Sequence, residues 1–172
     1  MQNTITAADV RHLGFNKVET YVAAMLFIAG NIILPQICHL FSLGGPTWLP
    51  IYFFTLVGAY KYGWRVGLLT ALASPFINSV FFGMPAAAAL PAITVKSVLL
   101  AGAAGFASSR NNRASILTLL AVVLFYQVTG SAAEWIITES IAAAMQDFTI
   151  GVPGMLVQIA GGWFVINRVI RG

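Results

Sequence analysis

From Thr20 to Tyr60 the chain carries no Asp, Glu, Lys or Arg, and the same holds from Val66 to Val95. Runs of that length cannot be covered by polar surface in water. A transmembrane helix needs about 20 consecutive apolar residues. The pattern therefore points to an all-α integral membrane protein. Composition agrees: 59% of the 172 residues are hydrophobic and only 8% charged, against about 25% charged in soluble domains. The length allows roughly five to seven spans and leaves no room for a separate soluble domain. Cys38 is the sole cysteine, which excludes an intramolecular disulfide. The first apolar run lacks an A-x-A cleavage site and reads as a retained span rather than a signal peptide.

Breakers and polar connections divide the chain into six predicted spans: about 19–41, 48–60, 66–82, 86–107, 116–136 and 155–170. Residues 1–17 read as a cytoplasmic or interfacial segment. The second span is short and is expected to be tilted or irregular. Pro75 is expected to kink the third. The stretch "TESIAAAMQDFTIGVPG" reads as a loop with a helical turn, or as an interfacial helix.

Basic residues orient this arrangement. Arg11 and Lys17 precede the first span. Lys61 and Arg65 separate the second and third, Arg110 and Arg113 the fourth and fifth, and Arg168 and Arg171 follow the sixth. With six spans and both termini cytoplasmic, these eight of nine basic residues fall inside. Five- or seven-span arrangements break the pattern. The net charge of +4 does not indicate nucleic acid, because the basic residues occur in short pairs between apolar runs.

The ninth is Lys96, in "LPAITVKSVLLAGAAGF". It lies about ten residues from the outer end of its span, hence about 15 Å deep, near the middle of a layer about 30 Å thick. A charge there costs at least about 2.5–3.5 kcal/mol on insertion scales. Two readings follow. Lys96 pairs internally with Glu134 or Glu139, or it is the counter-charge of an anionic ligand. Asn31, Gln36, Asn78, Gln127 and Gln158 are polar at compatible depths. Each either links helices or joins Lys96 in one polar cavity. Trp48, Tyr126 and Trp135 are candidate aromatic walls, or members of the interfacial aromatic belt. Gly63-xxx-Gly67 and Ala101-xxx-Gly105 allow close helix approach, for internal packing or for docking another membrane protein.

Enzymatic signatures are missing. There is no G-x-x-x-x-G-K-[ST] loop and no H-E-x-x-H. Cys38 and His39 are adjacent, and adjacent helical side chains do not face each other. No metal site or cofactor is expected.

The stretch 49–107, "LPIYFFTLVGAYKYGWRVGLLTALASPFINSVFFGMPAAAALPAITVKSVLLAGAAGF", resembles the substrate-binding S components of energy-coupling factor (ECF) vitamin transporters. The resemblance lies in the order of an apolar span, "GAYKYGWRVGLLTALASPFINS", "FGMP" and "LPAITVKSVLLAGAAG". It implies a six-helix protein of a bacterial or archaeal cytoplasmic membrane that captures a vitamin from outside. Its implied partners are a transmembrane coupling (T) subunit and two cytoplasmic ABC ATPases, which supply ATP hydrolysis and topple the S component to release ligand inside. Ligand would lie under "SLGGPTW", "FGMP" and "TESIAAAMQDFTIGVPG". Docking on the coupling subunit would use small residues of the first span, here Ala23, Ala24, Ala29 and Gly30, although no exact A-x-x-x-A spacing occurs. Family members often carry an acidic residue where Lys96 stands. The change of sign implies an anionic ligand such as pantothenate, biotin, lipoate or a nicotinate-like acid. The expected substrate site is thus Lys96 for the anion, Asn78, Gln127 and Gln158 for hydrogen bonds to the rest, Tyr126 and Trp48 as walls, and Glu134 beside them. The alternative is a structural or assembly membrane protein without a small ligand.

Overall fold

The computed structural model describes residues 12–40, 44–111 and 113–170, and these are all helical or connecting segments. The helices are α1 (Val18–Cys38), α2 (Gly44–Trp48), α3 (Phe53–Tyr62), α4 (Trp64–Phe82), α5 (Leu90–Arg110), α6 (Ile116–Thr138), α7 (Ile141–Thr149) and α8 (Val152–Phe164). A 3-10 turn, Pro50–Tyr52, leads into α3, and a π-helical turn, Val165–Val169, continues α8. Among the described residues, four helices are long and apolar enough to cross a membrane: α1, α4, α5 and α6. A fifth is added if α7 and the α8 segment, bent by 51° at their junction, count as one. Residues 1–11, the tip of the first connection at 41–43, Asn112 and residues 171–172 lie outside the described residues, so the expected N-terminal interfacial segment is described only from His12 onward.

The predicted second span takes a different form. Its helical core is α3, ten residues long, or about 15 Å at the α-helical rise. That is half a bilayer. It is also the most enclosed element, buried continuously from Thr55 to Lys61. Helices α1, α4, α5 and α8 surround it, so its irregular start is sheltered by protein, as backbone at membrane depth must be. Asn31 of α1 completes that start. Its side-chain oxygen accepts from the Phe54 N–H at 3.1 Å, and its Nδ2 donates to Thr55 Oγ1 at 3.0 Å. The first turn of any helix leaves N–H groups without intrahelical partners, and here a side chain from the neighbouring helix supplies one.

At its other end α3 stops at Gly63, whose φ of 94° lies where L side chains are strained. Lys61 sits in that last turn, buried, where a cation complements the helix dipole. The chain reverses directly into α4, which runs through Pro75 as one helix.

The small-residue spacings serve internal packing. A β-carbon on Gly67 would collide with Ala59 and come within 3.1 Å of Ala101 Cβ. Gly105 is pressed against the backbone of Trp64. Thus α3, α4 and α5 approach closely around Leu56, Val57, Tyr60 and Leu100, all fully buried.

The first-span residues expected to dock a partner do not share an outer face. Ala23 and Ala24 are buried in the core, and the Phe54 ring covers Gly30, with Cδ2 2.7 Å from where a β-carbon would stand. Of the four, only Ala29 is exposed. Phe27, one turn from Ala23 and Ala24, packs on Phe54 and Tyr62, which turns the alanines inward with it.

Candidate functional site

Lys96, in α5, is 2% exposed. Its Nζ lies 2.5 Å from Glu134 Oε2 on α6 and 2.8 Å from Asp147 Oδ2 on α7. Three elements thus place one cation between two carboxylates. Gly130, one turn before Glu134, makes this possible: a β-carbon there would come 2.5 Å from Lys96 Cγ. The lysine stem crosses α6 at a position without a side chain in its way.

The triad forms one wall of a cavity of about 320 Å³. Pro35 and His39 come from the end of α1, Gly45 and Pro46 from α2, and Leu49 to Tyr52 from the following turn. Met84 and Pro85, joined by a cis peptide bond, contribute with Ala86 and Ala89 from the connection before α5. Ile93 accompanies Lys96 on α5, and Gln146 accompanies Asp147 on α7. The described parts of three connections, 39–40 with 44–52, 83–89 and 139–151, therefore converge on one hollow. Apart from the triad, no Asp, Glu, Lys or Arg is among the described residues of the cavity wall. This is the usual construction of a small-molecule site, apolar walls with a few placed polar groups.

Glu134 pairs with Lys96 as one reading of the sequence had it, while the alternative partner Glu139 caps α6 in a left-handed conformation and is exposed. Asp147 is the partner that sequence reasoning missed. It lies in a stretch read as loop or interfacial helix. The available signal was its helical context: Ser140 caps α7 by accepting from the Ala143 N–H, and Asp147 and Ala144 are the buried residues of that helix.

The remaining expected site residues lie elsewhere. Asn78 donates to the carbonyls of Asn31 and Ser74 at 2.9 and 3.0 Å, and Gln36 donates to its oxygen at 3.3 Å. The bonds with Asn31 and Gln36 tie α1 to α4, and the one to Ser74 stays within α4. Tyr126 donates to Gln158 Oε1 at 2.8 Å and accepts from Gln127 Nε2 at 3.1 Å, tying α6 to α8. Asn78, Tyr126, Gln127 and Gln158 are fully buried and none lines the cavity. Rather than lining this cavity, the four side chains tie helices together. Tyr126 reaches the site indirectly, with its ring 5.4 Å from that of Tyr52, which does line the cavity. Trp48 does not line the cavity either: its side chain is exposed and its backbone lies against Gly154 of α8. Trp135 is exposed on a separate, apolar hollow between α6 and α7. Among the described residues there is no group of three or more His, Cys, Asp or Glu side chains that could hold a metal ion.

No family model matches the chain, and neither does any curated protein or solved structure.

Proposed function

We propose that the protein captures a small molecule for a membrane importer, in the manner of an ECF S component, and is not itself an enzyme. The observation that carries this reading is the cavity beneath the described parts of the connections, 44–52, 83–89 and 139–151. In the resemblance, the corresponding loops cover the ligand. The reading takes α2, the 3-10 turn and α3 as one broken span, and α8 with its π turn as the last. That gives six spans with both ends cytoplasmic and the cavity toward the outside. The positive residues between spans support the orientation. Import would depend on a coupling subunit and two ATPases in a bacterial or archaeal cytoplasmic membrane.

The specific expectation of pantothenate, biotin, lipoate or a nicotinate-like acid rested on a lysine free to meet it. Lys96 instead faces two carboxylates, an arrangement that disfavours an anionic group.

The same double ion pair favours a second reading, a structural or assembly protein in which Lys96 only ties α5, α6 and α7 together. Native mass spectrometry of the detergent-purified protein separates the two. Capture predicts a co-purifying small metabolite at one per chain and association with a coupling subunit when the two are co-expressed. If neither is found, the structural reading stands.

A further inference from the structure

Resting on the capture reading, we infer that the cavity selects a ligand presenting a cationic or donor-rich edge to Glu134 and Asp147. The triad holds one positive and two negative formal charges, and so carries a net charge of −1. Among the described residues no other Asp, Glu, Lys or Arg lines the cavity. Lys96 engages Oε2 of Glu134 and Oδ2 of Asp147. One oxygen of each carboxylate, Oε1 and Oδ1, is thereby left as an acceptor. An anion placed here meets two carboxylates and a lysine already neutralised by them. A cation meets the excess negative charge between mostly apolar walls, where charge interactions are stronger than in bulk water.

The rest of the wall fits a flat organic cation rather than a bare one. Tyr52, Ile51, Ile93 and Pro85 supply apolar and aromatic surface, and an aromatic face attracts a cation held against it. A volume of about 320 Å³ lies at the small end of organic ligand sites, which suits one or two rings. An amidine, aminopyrimidine or alkylated ring nitrogen has the required edge. In this arrangement Lys96 has a definite role: it holds the two carboxylates apart and oriented, and leaves one charge for the ligand.

Three isosteric probes test this: benzamidinium, benzamide and benzoate, titrated by calorimetry into the detergent-purified full chain at about pH 8, where an ordinary imidazole is neutral. Benzamidinium is expected to bind at least tenfold more tightly than benzoate, with benzamide between. Glu134→Gln and Asp147→Asn, each taking the triad to zero net charge, should remove the preference. The double variant, at +1, should reverse it toward benzoate. Thermal unfolding identifies variants that do not fold, and the wild-type series decides the matter without them. Benzoate bound as tightly as benzamidinium by the wild type overturns the charge assignment and leaves capture intact. Benzamidinium binding that both single variants retain unchanged places it outside the triad and likewise overturns the assignment. Binding of none of the three at their solubility limits overturns the assignment of a cationic ring to this cavity, while capture itself is decided by the co-purifying metabolite.

Discussion

The stem of Lys96 crosses α6 against Gly130, with Cγ 2.5 Å from the point where a β-carbon would be attached. The first prediction follows from that contact. Gly130→Val must push the lysine out of its path, and Lys96 cannot retreat without breaking both ion pairs. Overpacking of a close contact costs about 1–3 kcal/mol. The variant should therefore unfold at lower temperature in detergent. Gly102 faces open space, so Gly102→Ala serves as the control and should be unchanged. Equal stability of Gly130→Val and wild type would remove Gly130 from the account.

A second prediction concerns the lysine itself. Lys96→Met keeps the stem but leaves two carboxylates facing each other without a cation. Removing one partner from a buried ion pair typically costs about 3–5 kcal/mol, less where a carboxylate takes up a proton instead. Lys96→Met should be the most destabilising single change in the triad. Asp147→Asn should be milder, because Lys96 keeps Glu134. Chemical denaturation in mixed micelles measures the order, and Asp147→Asn exceeding Lys96→Met would show that α7 depends on the bond more than the lysine does.

The third prediction separates two amides of α1 that look alike in sequence. Asn31 satisfies the Phe54 N–H at the start of α3 and reaches Thr55 and, at 3.4 Å, Ser74. Gln36 makes one bond, at 3.3 Å, to Asn78. A buried donor left unsatisfied costs about 1–3 kcal/mol, whereas interhelical side-chain bonds in membranes average about 0.6 kcal/mol. Asn31→Ala should lower stability by about 2 kcal/mol and Gln36→Ala by less than half as much. Comparable losses in thermal unfolding would mean that Asn31 does not support the start of α3.

Tyr126→Phe provides the fourth. The hydroxyl is the centre of the tie between Gln127 and Gln158, but it does not line the cavity. The substitution should cost about 1 kcal/mol of stability, the usual net worth of a hydrogen bond. Affinity for a co-purified ligand or for benzamidinium should stay within about threefold. A tenfold loss of affinity at unchanged stability would restore Tyr126 to the site.

These contrasts also mark what the sequence could express. The lone charge at Lys96 was legible because hydrocarbon makes an isolated charge costly, and Glu134 was legible as a nearby carboxylate. The boundaries of α1, α4, α5 and α6 follow the apolar runs closely. Rotation about the helix axis was not legible. In a chain apolar on every face, periodicity does not tell inside from outside, so Asn78, Gln127 and Gln158 could be placed at a depth but not in a direction. The same ambiguity hid the inward turn of Ala23 and Ala24. Asp147 escaped because the short α7 is held in place by tertiary contacts rather than by an apolar run, and the Ser140 cap is its local mark. The broken entrance to α3 depends on Asn31, distant in sequence, and no local pattern announces that.

The last prediction concerns a wall of the cavity that is set from outside it. A β-carbon on Gly154 would lie 2.5 Å from the carbonyl carbon and oxygen of Trp48 and 2.9 Å from the Leu49 nitrogen. These are backbone atoms, which cannot rotate away as a side-chain tip can. Leu49 occupies the left-handed region at φ 47° and, with Pro50, lines the cavity. Gly154→Val must therefore shift the segment 48–50 off α8 and deform the cavity wall, although residue 154 itself is not part of it. Ligand affinity should fall more than tenfold, about 1.4 kcal/mol or more. Trp48→Leu changes only an exposed side chain and should leave affinity within about twofold. Calorimetry on both variants checks the pair. If Trp48→Leu lost binding while Gly154→Val kept it, the side chain rather than the backbone of residue 48 would be shaping the site.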